Sequence, residues 1–183
     1  MKKVFLDMDG LIVDFVQYTC EFFNISNEFP VGEWDVVGIM CQRAKISQNE
    51  FWKRLDVEFW SFQPWMHDGL RIMAHLKQEI GIHNVCILSS PANSDSAAGK
   101  IAWIKRELPD MYKMGNFCLN RNKGFLAHPE KLLIDDGDHN IEAYTEHGGT
   151  CLLYPRKWNK RHPDAHRSLE CFKDEFSSWI KTA

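Results

Sequence analysis

Four short apolar runs, Lys3–Leu6, Val85–Leu88, Leu132–Ile134 and Cys151–Tyr154, constrain this chain more than any other feature. Each is aliphatic or β-branched, with little alternation of apolar and polar residues. A strand covered on one face alternates, so runs of this kind predict a parallel sheet buried on both faces. Phe117–Leu119 reads as a weaker fifth strand. Between the runs lie apolar residues at helical spacing. One set runs from Leu70 to Ile80 and stops at Gly81; another covers Ala97–Leu108 through Ile101 and Ile104 and ends at Pro109; a third, Ile141–His147, ends at Gly148-Gly149. Strands alternating with helices predict an α/β domain with right-handed crossovers.

One gap is far too long for a single crossover helix. Residues 15–66 separate the first strand from the second and hold Phe15, Phe22, Phe23, Phe29, Trp34, Phe51, Trp52, Phe59, Trp60, Phe62 and Trp65. This stretch is expected to be a small, mostly helical cap, leaving residues 1–14 and 67–183 as the α/β core. A length of 183 residues suits one such domain with an insertion.

Charge and composition narrow the partners. A net charge of -3 supplies no basic stripe, so nucleic acid is not an expected partner. No apolar stretch approaches the ~20 residues that span a membrane. Asp7 and Asp9 interrupt the N-terminal apolar run before a secretory segment forms, so a cytoplasmic protein is expected. The cysteines, Cys20, Cys41, Cys86, Cys118, Cys151 and Cys171, are scattered singly and form no CxxC pair. They read as reduced, buried thiols rather than a zinc site. A homodimer is left open.

Ligands of an open α/β sheet bind beyond the carboxyl ends of its strands, so the residues following each run matter most. After the first run comes Asp7-Met8-Asp9-Gly10, after the second Ser89-Ser90-Pro91, and after the third Asp135-Asp136-Gly137; Asn120-Arg121-Asn122-Lys123 precedes the third. Taken singly, each is a common turn or helix cap. Together they gather four carboxylates, two hydroxyls and two cations at one sheet edge. Clustered carboxylates repel, and a hard dication such as Mg²⁺, which takes oxygen ligands, relieves that repulsion. Carboxylates and metal beside Lys123 suit a phosphate group better than a calcium store.

These residues resemble the four motifs of the haloacid dehalogenase-like superfamily. Asp7-Met8-Asp9-Gly10-Leu11 is similar to motif one, Val85-Cys86-Ile87-Leu88-Ser89 to motif two, Lys123 to motif three, and Leu132-Leu133-Ile134-Asp135-Asp136 to motif four. Within the superfamily the likeness is to the 5'(3')-deoxyribonucleotidases, through Asp7 to Asp14-Phe15, Ser89-Ser90-Pro91, Arg121-Asn122-Lys123 and Leu133 to Asp136. Ala102-Trp103 and Pro109-Asp110 add to it. Leu11 and Ser89 are conservative departures from that pattern.

The resemblance implies a three-layer core and a Mg²⁺-dependent phosphatase for nucleoside monophosphates. By it Asp7 is the nucleophile that forms an aspartyl phosphate, and Asp9 is the general acid and base. Mg²⁺ is held by Asp7, the Asp9 backbone carbonyl and Asp135, with Asp136 in support. Ser89 and Lys123 contact the phosphoryl group; Ser90, Lys100 and Arg121 are further substrate contacts, and Phe15 and Trp34 are candidates for stacking on the base. Two alternatives stay open: a phosphatase for another small phosphoester or a nucleic-acid end, and a non-catalytic phosphate-binding module on the same fold.

Overall fold

The computed structural model describes residues 2–182. Five strands, β1 (Lys3–Leu6), β2 (Val85–Ser89), β3 (Phe117–Leu119), β4 (Lys131–Asp135) and β5 (Thr150–Leu153), form one parallel sheet in the order β3-β2-β1-β4-β5. β1 lies in the middle, with β2 on one side and β4 on the other. The order therefore reverses at β1, where a crevice opens above the strand ends.

Both faces of the sheet are covered, which accounts for the lack of alternation. Val4, Leu6, Val85, Ile87, Leu132, Ile134 and Leu152 turn to one face and pack with Ile72, Leu76, Trp103, Phe172 and Phe176. These come from α5 (Gly69–Ile80), α6 (Ser94–Glu107) and α9 (Ser168–Lys181). Phe5, Leu88, Leu133 and Cys151 turn to the other face, against Tyr144 of α8 (Asp138–Glu146). Two helices were not expected: α7 (Pro109–Met114), and α9, whose Phe172, Phe176 and Trp179 repeat at helical spacing. Among the described residues no helix is long and apolar enough to cross a membrane.

Four helices occupy the stretch between β1 and α5. They are α1 (Phe15–Phe23), α2 (Val36–Ala44), α3 (Gln48–Arg54) and α4 (Val57–Ser61). Short side chains start them: Asp14, Asp35, Ser47 and Asp56 each accept a bond from a first-turn backbone N–H. They enclose a separate apolar cluster of Phe15, Val16, Met40, Phe51, Leu55, Phe59 and Trp60. The entry and exit of this cap run side by side: the Asp14 N–H donates to Pro64 O (3.0 Å) and the Met66 N–H to Ile12 O (2.9 Å).

A buried ion pair braces that hinge to the core. The Arg156 guanidinium donates to both Asp68 oxygens (2.8 and 2.9 Å), to Gly10 O (2.6 Å) and to Leu11 O (3.3 Å). Tyr154 Oη donates to Asp68 Oδ2 at 2.6 Å. Burial alone would raise the Asp68 carboxyl, but the bonds from Arg156 and Tyr154 outweigh it and hold the group below its usual range. Removing one partner of a buried pair strands the other charge. Asp68→Ala is therefore expected to lower stability by ~3–5 kcal/mol in urea unfolding. A lowered carboxyl pKa adds stability that is full above its unfolded value of ~3.9 and is lost as pH falls through the folded value. Wild type should accordingly lose more stability than Asp68→Asn on acidification below about pH 4.

Candidate active site

The carboxyl ends of β1 and β4 place three acidic side chains together. Asp7 follows β1 directly, and its N–H still donates to Ile134 O (2.9 Å), extending the ladder by one residue. Asp135 ends β4 and Asp136 follows it. One oxygen from each of Asp7, Asp135 and Asp136 lies within 4.8 Å of the others, and all three residues are buried. Lys123, opening a 3₁₀ turn at Lys123–Leu126 after β3, points inward. Its ammonium donates to Asp7 Oδ1 (2.5 Å) and Asp135 Oδ2 (2.6 Å).

The remaining oxygens are not equivalent. Asp135 Oδ1 accepts from the Gly137 N–H (2.8 Å) and Asn140 Nδ2 (3.1 Å), so both of its oxygens are engaged. Asp136 Oδ2 accepts from the Trp158 indole (2.6 Å), and among the described residues no donor reaches its Oδ1. Of the four Asp135 and Asp136 oxygens, Asp136 Oδ1 is thus the one without a donor among the described residues, and both carboxylates stand close enough to Asp7 to share an ion with it. Gly10 makes room for the Asp136 carboxylate. Its φ is +74°, and a Cβ there would lie 2.1 Å from Asp136 Oδ2.

The cluster carries excess negative charge: three carboxylates face one ammonium. Burial pushes the Asp7 carboxyl up to about 7; Lys123 opposes the rise, and Asp135 and Asp9 add to it. Asp136 is raised well above its usual range by burial, then by Asp7 and Asp135. Lys123 would be lowered by burial, but Asp135 and Asp7 outweigh that and raise it. A buried set of oxygen donors with unneutralised charge fits a divalent cation.

Asp9 lies beyond this cluster. Its Oδ2 accepts from Lys100, and its buried Oδ1 has no partner among the described residues. Lys100, on α6, also donates to Ser89 Oγ (2.9 Å) and lies 5.1 Å from the Trp60 ring centroid. Ser89 and Lys100 are both fully buried and do not line the cavity above the carboxylates. Ser89 is still within β2, paired with Leu119, and its hydroxyl turns to Lys100 instead of outward. Lys100 thus joins Ser89 to Asp9, and both residues connect to the cavity through the Asp9 carboxylate. Arg121 is exposed and outside the cavity. The bend fixed by Asn120 Oδ1, which accepts from the Asn122 N–H (2.9 Å), turns Lys123 inward but not Arg121.

The cavity measures about 400 Å³ and runs between core and cap. Asp7, Asp9, Lys123 and Asp136 form its floor, with Ser90 beside them; Phe15, Trp34 and Trp52 supply aromatic walls. Trp34 is 43% exposed and meets His139 edge-on at 5.1 Å. Phe15 stacks on Trp60, centroids 5.4 Å apart. Sequence reasoning missed Trp52, His139 and Trp158 as wall residues and Asn159 as a brace. Trp158 and Asn159 stand just beyond the predicted strand Cys151–Tyr154, so the strand-end rule applied to that last strand would have found them. A larger cavity of about 680 Å³ adjoins through Val16 and Trp158, but none of Asp7, Asp9 and Asp136 lines it.

Comparison with known proteins agrees with this geometry. The profile of the family described as 5' nucleotidase, deoxy (pyrimidine), cytosolic type C protein matches residues 1–175. The chain belongs to this family. As a member of this 5'-nucleotidase family it is an enzyme, a phosphatase of the haloacid dehalogenase type. Among solved structures, a haloacid dehalogenase-like hydrolase from Streptococcus pneumoniae shares the fold, with a TM-score of 0.51 and 11% identity over 99% of each chain. A hydrolase from Pseudomonas syringae is also similar, with a TM-score of 0.46 and 16% identity over 82% of each chain. No curated protein sequence matches.

The acidic floor of this chain depends on Gly10. Gly10→Ala is expected to cost ~1–2 kcal/mol through its left-handed backbone and to displace the Asp136 carboxylate. The rise in melting temperature on adding an excess of divalent cation should shrink or vanish in this variant, read by thermal unfolding with and without the cation.

Proposed function

We propose that the chain is a Mg²⁺-dependent 5'(3')-deoxyribonucleotidase that releases phosphate from deoxynucleoside monophosphates. The observation that carries this reading is Lys123 bridging Asp7 and Asp135 on the floor of an aromatic-walled cavity, in a chain of the deoxy 5'-nucleotidase family. That family's cytosolic designation also supports a cytoplasmic enzyme acting on free nucleotides.

In the proposed reaction an Asp7 carboxylate oxygen attacks phosphorus. An aspartyl phosphate forms as the ester P–O bond breaks, and Asp9 gives its proton to the departing sugar oxygen. Asp9 then takes a proton from water as that water attacks phosphorus, which frees inorganic phosphate and restores Asp7. The unpartnered Asp9 Oδ1 supports this role, because Lys100 holds the other oxygen and fixes the carboxyl's direction. Lys123 holds Asp7 in line and balances charge on the phosphoryl oxygens. Ser90 lines the cavity, and its hydroxyl, which donates to Asn120 O (3.2 Å), is a candidate substrate contact. Asp7, Asp136 and the Asp9 backbone carbonyl would hold Mg²⁺, with Asp135 in support, and the ion would neutralise phosphoryl charge. Trp34, the exposed ring of the wall, is the foremost candidate to stack on the nucleobase, with Phe15 and Trp52 as further apolar wall.

Phosphate release from a panel of esters tests the assignment. Deoxynucleoside monophosphates should be cleaved in preference to ribonucleotides, sugar phosphates and a phosphorylated oligonucleotide. Asp7→Asn should reduce turnover by ~10³-fold or more, and Lys123→Met by ~10²–10³-fold. Release only from sugar phosphates or oligonucleotide ends would overturn the substrate assignment. Trp34→Ala tests the stacking wall. Its loss of ~1–3 kcal/mol should raise KM for nucleotides by about 5-fold to 150-fold and leave turnover of a sugar phosphate unchanged.

A further inference from the structure

The loop after β5 reaches the acidic floor from a direction that none of the four motifs supplies. Asn159 Nδ2 donates to the Asp136 backbone carbonyl (2.9 Å) and to Tyr154 O (2.8 Å), and its Oδ1 accepts from the Arg156 and Arg161 N–H groups (3.2 and 3.0 Å). Asn159 thus fixes both its own loop and the main chain of Asp136. One residue earlier, the Trp158 indole N–H donates to Asp136 Oδ2 at 2.6 Å. Main chain and carboxylate of Asp136 are therefore held at two separate points by adjacent residues.

Trp158 has a second attachment. Its ring packs against the cap's apolar cluster, and it forms the wall shared by the two cavities. The neighbouring Lys157 carbonyl accepts from the Gly32 N–H of the cap at 2.7 Å. The indole is thereby fixed by packing on one side and presents its only donor to a carboxylate on the other. A tryptophan N–H has no acceptor capacity. Its single hydrogen is spent on Asp136 Oδ2, so among the described residues Oδ1 is left without a donor.

We infer that Trp158 is a positioning residue for the cation, holding Asp136 in the one orientation that leaves Oδ1 free as a ligand. The inference rests on the proposed reading that Asp136 binds the ion. Groups that hydrogen-bond a metal-binding side chain commonly contribute 10–100-fold to metal affinity, because they set the ligand's direction before the ion arrives. Trp158→Phe keeps most of the ring's packing and removes the donor. It should raise the dissociation constant for the ion by about 10–100-fold.

Mn²⁺ titration of the full chain, with free ion followed by electron paramagnetic resonance, reads this directly. Three proteins are compared: wild type, Trp158→Phe and Asp136→Asn. Melting temperatures without metal report folding. If Trp158→Phe fails to fold, the same titration is made with β-(3-benzothienyl)alanine at position 158, which keeps the bicyclic shape and lacks the N–H. The expected result is weak binding by Asp136→Asn and 10–100-fold weaker binding by the Trp158 variant, whose turnover recovers at saturating ion. A role in packing alone would lower the melting temperature and leave the dissociation constant within about twofold of wild type. That outcome, with Asp136→Asn still impaired, overturns the inference and spares the reading beneath it. Wild-type affinity in Asp136→Asn removes Asp136 from the metal site and takes the inference with it.

Discussion

The contact between Lys123 and the two carboxylates Asp7 and Asp135 is the interaction around which the rest of the structure is arranged. All three groups are buried, and each would be costly to leave uncompensated in the interior. Lys123 does not complete the compensation. Asp7 is still pushed up to about 7, so burial and the neighbouring carboxylates outweigh the one ammonium beside it. The site is built with more negative charge than its own cation balances. That excess is the physical reason a dication belongs there, and the reason the residues must be delivered by rigid elements. β1 and β4 are adjacent in the sheet, and the Asp7 N–H continues their ladder, so Asp7 and Asp135 are set by sheet register and not by loop conformation.

Rigid strands fix the floor, but they do not fix the cap. The cap is attached through a hinge whose two strands run side by side, and Arg156 ties that hinge to the core through Gly10 O, Leu11 O and Asp68. Gly10 and Leu11 belong to the same short loop that carries Asp9. One buried guanidinium thus stabilises both the turn that carries Asp9 and the entrance to the cap. The 154–161 loop extends this arrangement, since Arg156, Trp158 and Asn159 reach the hinge, the cap and Asp136 respectively. Position of the cap and geometry of the floor share one support.

This division explains what was legible in the sequence. The strands showed because burial on both faces forbids polar alternation, and the carboxylates at their ends showed because position after a strand is itself a signal. Lys100 was ambiguous because helix α6 is amphipathic and nothing local distinguishes a lysine turned inward from one turned to water. Its burial follows from contacts with Asp9 and Ser89, residues distant in sequence. Which oxygens of Asp135 and Asp136 lack a donor was hidden for the same reason: it depends on Asn140, Lys123 and Trp158 claiming particular oxygens. Arg156 and Asn159 are polar residues in a loop, and a loop's composition does not show which carbonyls it will meet. Arg121 looked suitable from its spacing to Lys123, but a bend separates two side chains that extended backbone would have kept parallel.

Substrate choice follows from how the cavity is divided. The space above the carboxylates is about 400 Å³, within the range of sites for small molecules. The neighbouring space of about 680 Å³ is larger, but Val16 and Trp158 stand between it and the floor. A polymer would need a continuous cationic track leading to the reacting phosphate. Here the lining includes Trp34, Asp35, Val36, Val37 and His139, and Lys123 is its only lysine or arginine among the described residues. Lys123 on the floor and Lys100 behind Asp9 are both committed to carboxylates and buried. Attraction for a phosphate is therefore concentrated at one point at the bottom, and the walls contribute apolar and aromatic surface. That combination favours a single phosphate carried by a flat, compact body over one embedded in a chain.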